Sequence, residues 1–192
     1  MVIGLTGGIG SGKTTVAEMF SAFDGVVLYN ADVEAKQLMT SSSKIRTKLI
    51  EEFTADVYKG GVLNRVFLAN IVFKDKEKLK VLNSIVHPVV HEHLHNFITS
   101  HSSCRYILYE NAILFENGSD QLCDKIITVT APEDVKILRV MARDKSSKSE
   151  VLGRMKNQWD DEKKTLQSHY VIENQSLKDV SQLVLDIHNK LT

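Results

Sequence analysis

The segment Gly7–Gly8–Ile9–Gly10–Ser11–Gly12–Lys13–Thr14 decides the fold, because it matches the G-x-x-x-x-G-K-[ST] pattern of a phosphate-binding loop (P-loop). It follows the apolar run Val2–Thr6, which predicts a strand, and precedes Thr15–Phe20, which predicts the first turns of a helix. In that context the loop's backbone N–H groups converge on phosphate oxygens. Lys13 adds a positive charge beside the phosphates, and the Thr14 hydroxyl can ligate Mg²⁺. The alternative is a glycine-rich turn without a ligand, but the complete pattern in this context favours a nucleotide site.

The composition limits the classes of partner. Lys plus Arg and Asp plus Glu both number 24 in 192 residues, so the net charge of zero gives no global case for nucleic acid or an anionic membrane. Cys104 and Cys123 lack the spacing of a metal site or a disulfide framework. No apolar stretch would span a bilayer, and no signal peptide is recognised. We therefore expect a cytoplasmic protein that binds neither nucleic acid nor membrane and has no obligate protein partner.

Apolar runs alternate with helical patterns, which favours an α/β fold with a parallel sheet. The predicted strands are Val2–Thr6, Val26–Tyr29, Tyr106–Leu114, Lys125–Thr130 and Tyr170–Ile172. The predicted helices of the long connection between the second and third strands are Lys44–Phe53, Asn64–Phe73 and Glu77–Phe97, with Pro88 starting or kinking a helix. We expect a P-loop kinase-like sheet flanked by helices as the nucleotide-binding core, formed by residues 1–33, 104–138 and 166–192. Residues 34–103 would form a helical insertion for a second substrate.

Residues 139–165 form a second charged region, in which the arginines Arg139, Arg143 and Arg154 alternate with acids. Ser146–Ser149 predicts a break between two helices. Two interpretations remain open: a solvated helical hairpin, or a lid whose arginines close on phosphates. Phosphoryl transfer depends on positioning and charge stabilisation, so a lid is the more informative hypothesis beside a P-loop.

Three acids are candidates for chemistry. Asp32 follows the second predicted strand and could accept a proton from an acceptor hydroxyl, or it could simply cap a helix. Glu110 ends an apolar run typical of a Walker B strand, and Glu116 closes the next one. Each of these two could support Mg²⁺ or contact substrate, and a plain surface acid is an equal alternative for both.

Other nucleotide and metal chemistries find less support. His91–Glu92–His93–Leu94–His95 matches the H-E-x-x-H pattern of zinc proteases, but no clear third ligand follows and short patterns in a histidine-rich helix arise by chance. The chain lacks the N-K-x-D motif of GTPases and the LSGGQ-like signature of ABC ATPases. A metabolite kinase remains the favoured class.

An ordered set of motifs over about residues 1–190 resembles the dephospho-CoA kinases. Besides the P-loop, the matching segments are Asn30–Ala31–Asp32, Gly61–Arg65 with Val72–Phe73, Ile85–Pro88, Ala112–Glu116, Arg139–Asp144, Arg154–Gln158 and Val171–Asn174. The P-loop alone is shared by many kinases, whereas the ordered set is specific.

The resemblance implies ATP-dependent phosphorylation of the 3′-hydroxyl of dephospho-CoA, the last step of coenzyme A synthesis, with Mg²⁺. Asp32 would be the catalytic base, and Lys13, Arg139 and Arg143 would steady the transferred group. ATP would be bound by Gly8, Gly10, Ser11, Gly12, Lys13, Thr14, Thr15 and Asn174, with Thr14 on the metal. Dephospho-CoA would be bound by Asp32, Arg65, His87, Leu114 and Glu116.

The chain departs from the family pattern at several positions. Asn30 replaces the first Asp of D-A-D, Asn64 replaces the Asp before Arg65, Ala112 replaces Pro, and Glu173 replaces Asp. Asp32 and Arg65 are retained. The alternatives are a kinase for another small metabolite or nucleoside, and a nucleotide-binding switch without catalysis.

Overall fold

The structure, a computed structural model, describes residues 1–72 and 74–192, with the backbone alone for Leu177. The elements, in chain order, are β1 Val2–Thr6, α1 Lys13–Ser21, β2 Val26–Asn30, α2 Ala31–Ser41, α3 Ser43–Phe53, β3 Tyr58–Lys59, β4 Val62–Leu63, α4 Arg65–Val72, α5 Lys76–Ser100, β5 Tyr106–Glu110, β6 Lys125–Thr130, α6 Glu133–Asp144, α7 Lys148–Met155, α8 Asp161–Leu166, β7 Tyr170–Glu173 and α9 Leu177–Leu191. They divide into two compact units, Met1–Asn30 with His101–Thr192, and Ala31–Ser100.

The first unit contains a parallel five-stranded sheet of order β2-β5-β1-β6-β7. β1 lies at its centre, where Leu5 pairs with Glu110 of β5 and Ile127 of β6. All five residues of β1 are buried, as expected for a strand covered on both faces. The predicted α/β fold with a parallel sheet is confirmed.

Helices α1 and α9 pack on this sheet through a continuous apolar core. The core joins Ile3 of β1 and Phe20 of α1 to Val184 of α9, all of them nearly or fully buried. Burying such side chains contributes about 1.5–3 kcal/mol each relative to exposure. This packing fixes the strand that enters the P-loop and the helix that leaves it.

The third predicted strand, Tyr106–Leu114, is too long, because β5 ends at Glu110. The Asn111 N–H still donates to the carbonyl of Leu5, but the Asn111 side chain then accepts from the Ile113 N–H. This side-chain turn ends the strand. Glu110 is therefore placed at the carboxyl end of β5.

The second unit is mainly helical, with α2 to α5 around the short antiparallel pair β3–β4. The predicted helix Lys44–Phe53 is observed as α3, which buries Ile45, Leu49 and Phe53 on one face. The predicted helix Asn64–Phe73 is observed as α4 up to Val72, and Phe73 lies outside the described residues.

Pro88 lies inside α5, so the prediction that a helix starts there is wrong. The helix begins at Lys76, twelve residues before Pro88. It begins there because the Asp75 side chain caps it, accepting from the N–H groups of Glu77 and Lys78.

The charged region contains α6, α7 and α8. The predicted break between helices is confirmed, because α6 ends at Asp144 and α7 begins at Lys148. Ser147 and Glu150 form a capping box at the start of α7. In the described part of the chain, no helix is long and apolar enough to cross a membrane.

Candidate active site

The P-loop connects β1 to α1 and has a backbone that requires glycine at two points. Gly7 has φ +153°, and a Cβ there would lie 2.2 Å from the carbonyl oxygen of Val129. Gly12 has φ +86°, and a Cβ there would lie 2.0 Å from Nδ2 of Asn174. The glycines therefore bring the loop against β6 and the residue after β7. Helix α1 begins at Lys13 and has no acid in its first turn, so its dipole favours an anion.

Glu110, at the carboxyl end of β5, accepts hydrogen bonds from three side chains. Its Oε1 accepts from Nζ of Lys13 at 3.3 Å and from the Thr14 hydroxyl at 3.0 Å. Its Oε2 accepts from Nδ2 of Asn30 at 2.6 Å. Glu110 is only 4% exposed, which decides against the surface-acid alternative. It sets the direction of both P-loop side chains that the motif assigns to phosphate and metal.

Arg139 and Asn174 hold the other side of the loop. Nδ2 of Asn174 donates to the Ser11 carbonyl at 2.9 Å, and Nη2 of Arg139 donates to the Asn174 carbonyl at 3.1 Å. Nη1 of Arg139 lies 3.5 Å from the Ser11 carbonyl. The buried hydroxyl oxygen of Ser11 has no hydrogen-bond partner among the described residues. A buried polar atom inside a P-loop fits a site that receives a polar ligand.

The charged region of residues 139–165 borders the start of the loop. Oε1 of Gln158 accepts from the Ile9 N–H at 2.9 Å. Asp161 accepts from Lys136 at 2.8 Å and from the Thr130 hydroxyl, and a Cβ on Gly8 would lie 3.0 Å from its carboxylate. A cavity of about 680 Å³ opens here between Gly8–Ile9, α6, the end of α7 and Trp159.

Arg143 differs from Arg139 in its contacts. Its Nε donates to Asp144 at 2.7 Å, and Asp144 also accepts from Arg154 at 2.6 Å. These two arginines, Arg143 first, lower the pKa of Asp144 to about 2. The structure thus brings Arg139 to the P-loop and places the Arg143 guanidinium in an exposed ion-pair group with Asp144 and Arg154.

The second unit carries three of the candidates, Asp32, Arg65 and His87. Asp32 is exposed in the first turn of α2, and Arg65 begins α4. Arg65 lines a cavity of about 560 Å³ with residues of α2, among them Val33 and Lys36. His87 lies in α5, and burial, followed by the neighbouring His91, lowers its pKa.

Two of the candidate substrate residues have structural contacts in the first unit. Leu114 is fully buried, and a Cβ on Gly4 would lie 2.8 Å from it, so its side chain belongs to the core. Glu116 pairs with Lys164 at 2.8 Å. Lys164 and Asp161 were not selected from the sequence, since a lysine or an aspartate in a charged region gives no signal of burial. Gln158 was noted only as part of a motif.

The H-E-x-x-H pattern of the sequence lies within α5. The described residues contain no group of three or more His, Cys, Asp or Glu side chains arranged for a metal. Cys123 is free, and burial raises its pKa to about 12, which keeps it a thiol.

The family model and the similar proteins of known name all point to one family. Residues 1–179 match the family model of dephospho-CoA kinase. The dephospho-CoA kinase of Bacteroides fragilis is 34% identical over 186 residues, covering 96% of this chain and 90% of that protein. The dephospho-CoA kinase of Chlorobaculum tepidum is 37% identical over 186 residues, covering 93% of this chain and 88% of that protein.

The structural comparison agrees. The crystal structure of TT1252 from Thermus thermophilus superposes with a TM-score of 0.88 at 32% identity, covering 100% of this chain and 98% of that one. A shikimate kinase from Bacteroides thetaiotaomicron, at 14% identity and a TM-score of 0.53, shares the fold. The chain belongs to the dephospho-CoA kinase family.

Proposed function

We propose that this protein transfers the γ-phosphoryl group of ATP to the ribose 3′-hydroxyl of dephospho-CoA, which gives coenzyme A and ADP. The match of residues 1–179 to the dephospho-CoA kinase family carries this proposal. The P-loop geometry supports it, because the loop, the α1 N-terminus and Lys13 suit the phosphates of a nucleotide.

Lys13, Arg139 and Asn174 form the nucleotide side in this proposal. The Lys13 side chain is 13% exposed, and its ion pair with Glu110 fixes its conformation. Its ammonium group is therefore already oriented for contact with a phosphate. Arg139 and Asn174 fix the Ser11 carbonyl and hence the turn of the loop. Thr15, exposed in the first turn of α1, and the N–H groups of Gly8, Gly10 and Gly12 complete the ATP contacts.

Mg²⁺ fits the oxygen donors at this place. The Thr14 hydroxyl and the Glu110 carboxylate lie 3.0 Å apart, and Mg²⁺ in kinases uses one or two protein oxygens together with phosphates. When bound, Mg²⁺ supplies neutralisation of phosphate charge. Thr14 would be its direct ligand, and Glu110 would orient the hydroxyl.

Asp32 is proposed to accept the proton of the acceptor hydroxyl, on the basis of the family motif and its chain position two residues after the end of β2. Arg65 and His87 are proposed to bind dephospho-CoA. The cavity beside Arg65 contains Lys36 as a further cation, which suits an anionic acceptor. The Arg143 guanidinium would have to break its ion pair with Asp144 before it could contact the phosphates.

The test is a coupled assay of ADP release from MgATP with and without dephospho-CoA, with mass spectrometry of the product. Acceptor-dependent ADP release and a product heavier by one phosphoryl group are expected. If ATP binds but dephospho-CoA stimulates no release, the proposal is wrong. A panel of nucleosides and small metabolites would then identify another acceptor, and turnover with none of them would point to a nucleotide-binding switch.

A further inference from the structure

Lys164 is a fully buried lysine in α8 whose role the proposed chemistry does not explain. Its side chain is 0% exposed, and Nζ donates to the Ala112 carbonyl at 2.7 Å and pairs with Oε1 of Glu116 at 2.8 Å. Burial lowers the pKa of Lys164, and Glu116 opposes that shift. Replacing such a buried pair with apolar side chains is often neutral or stabilising, so stability alone does not explain it.

Glu116 extends this contact to the end of the lid region. The same Oε1 of Glu116 accepts from the backbone N–H of Trp159 at 2.9 Å. The Trp159 ring stacks on Phe115 with centroids 5.8 Å apart and planes 3° from parallel. We call the contact between residues 112–116 and 159–164 the lid junction. It joins the segment that follows β5 to the segment that leaves the lid.

The lid junction continues directly into the P-loop. Gln158 immediately precedes Trp159, and its side chain accepts from the Ile9 N–H at 2.9 Å. Asp161, between Trp159 and Lys164, accepts from Lys136 beside Gly8. A displacement of residues 158–161 would therefore remove a hydrogen-bond partner from the loop that holds the phosphates.

We propose that Lys164 is a positioning residue for phosphoryl transfer: its ion pair with Glu116 holds residues 158–161 in register with the P-loop. Lys164 itself contacts no reacting atom. It acts through Glu116, Trp159 and Gln158. The inference rests on the proposed kinase function, and it assigns Glu116 to the lid junction instead of to direct contact with dephospho-CoA.

The substitution Lys164→Met tests the proposal, because it keeps the length of the side chain and removes the charge. We expect kcat to fall by about 10- to 100-fold, the size expected for misplacement of about 1 Å. The Kd for ATP, measured by calorimetry, should change by less than about 3-fold.

Trp159 is the only tryptophan of the chain, so its fluorescence emission and its quenching by acrylamide report on the lid junction. We expect Lys164→Met to change both at temperatures below the unfolding transition.

Two further variants separate positioning from stability. Lys164→Met combined with Glu116→Gln removes both charges but keeps an acceptor for the Trp159 N–H. We expect its Tm to recover towards wild type while kcat stays at least about 10-fold low. Lys164→Arg keeps the charge and should restore part of kcat and of the Trp159 emission.

Tyr106→Phe is the matched stability control. It removes a buried 2.8 Å hydrogen bond to His188 in the same unit, at the opposite end of β5 from Glu110. It should lower Tm and leave kcat and Trp159 emission unchanged.

The proposal is overturned if Lys164→Met leaves kcat and Trp159 emission at wild-type values, or if the double variant recovers kcat together with Tm. If wild type fails to use dephospho-CoA, the proposed function is wrong. The Trp159 readouts in the presence of ATP then decide the inference on their own.

Discussion

At the scale of single residues, Glu110 organises the phosphate side of the first unit. One carboxylate oxygen accepts from Lys13 and Thr14, and the other accepts from Asn30. The family pattern has Asp at the position of Asn30, and an aspartate there would face Glu110 without a proton to donate. An amide at residue 30 therefore supplies Glu110 with a hydrogen-bond donor that an aspartate would lack.

Asn30→Asp should lower stability at about pH 8, by about 1–3 kcal/mol, because the new carboxylate then faces the buried Glu110 carboxylate and competes with it for Lys13. The deficit should shrink at about pH 5, where one carboxyl group can bind a proton and donate it. Thermal unfolding at the two pH values measures this. Asn30→Ala, which removes the donor without adding charge, should show a deficit that is independent of pH. Equal Tm for wild type and Asn30→Asp at about pH 8 would contradict the prediction.

Asp32→Asn should lower kcat by about 100-fold or more, since the amide cannot accept the proton of the acceptor hydroxyl. The Kd for ATP should stay within about 2-fold, because Asp32 is not part of the P-loop. Steady-state kinetics and calorimetry measure the two quantities. Glu34→Gln changes the other acid in the first turn of α2 and should retain kcat. A kcat close to wild type in Asp32→Asn would exclude Asp32 as the base.

At the scale of elements, α7 depends on its N-terminal cap. The Ser147 hydroxyl accepts from the Glu150 N–H, and the Glu150 carboxylate accepts from the Ser147 N–H at 2.7 Å. The Ser147 N–H, followed by the Ser147 hydroxyl that also donates to this carboxylate at 2.8 Å, lowers the pKa of Glu150. A helix of eight residues has little stability of its own, so the cap determines how often α7 opens.

Ser147→Ala should destabilise α7 locally by about 1 kcal/mol, the usual cost of losing such a cap. Hydrogen exchange of the α7 amides should then be about 5-fold faster, while exchange in β1 stays unchanged. Ser149→Ala, in the first turn of α7, is the control: it removes the 3.0 Å hydrogen bond between the Ser149 and Ser147 hydroxyls but keeps both hydrogen bonds of the capping box. A uniform increase across the sheet would show that the cap supports the whole unit instead.

The elements also show what the sequence can and cannot predict. Continuous apolar runs identified the five strands of the sheet because buried parallel strands require them, and the P-loop pattern identified the turn between β1 and α1. The end of β5 was missed, since it depends on the side-chain turn of Asn111. The buried pair of Lys164 and Glu116 was missed because lysine is almost always exposed, and nothing in its neighbours marks the exception.

At the scale of the whole molecule, burial lowers the pKa of several histidines. His188 of α9 is 5% exposed, lies 2.8 Å from the Tyr106 hydroxyl and stacks on Phe23 with centroids 3.9 Å apart. Burial, followed by the charge of Arg105, lowers its pKa. Burial also lowers the pKa values of His87 and His91 in the second unit.

Stability should therefore fall in mild acid. The unfolded chain binds a proton at His188 below about pH 6.5, while the folded chain binds it only at lower pH, so the free energy of unfolding decreases as pH falls through this window. Above about pH 7 the effect should vanish. Denaturant titrations between about pH 7.5 and 5 measure it, and His188→Gln should show a shallower decline, with His87 and His91 unchanged in both proteins. Identical slopes would show that His188 does not contribute.

The strand order β2-β5-β1-β6-β7 has a consequence for how the protein is made. β1 leaves the ribosome first, but its neighbours β5 and β6 begin at Tyr106 and Lys125. At a synthesis rate of about 5–20 residues per second, β1 waits about 5–20 s for its first partner. The residues Ala31–Ser100 form a contiguous unit and can fold during that interval. We therefore expect chaperones to bind the nascent first unit, in which Val2–Thr6 stays an exposed apolar segment until β5 and β6 have been synthesised.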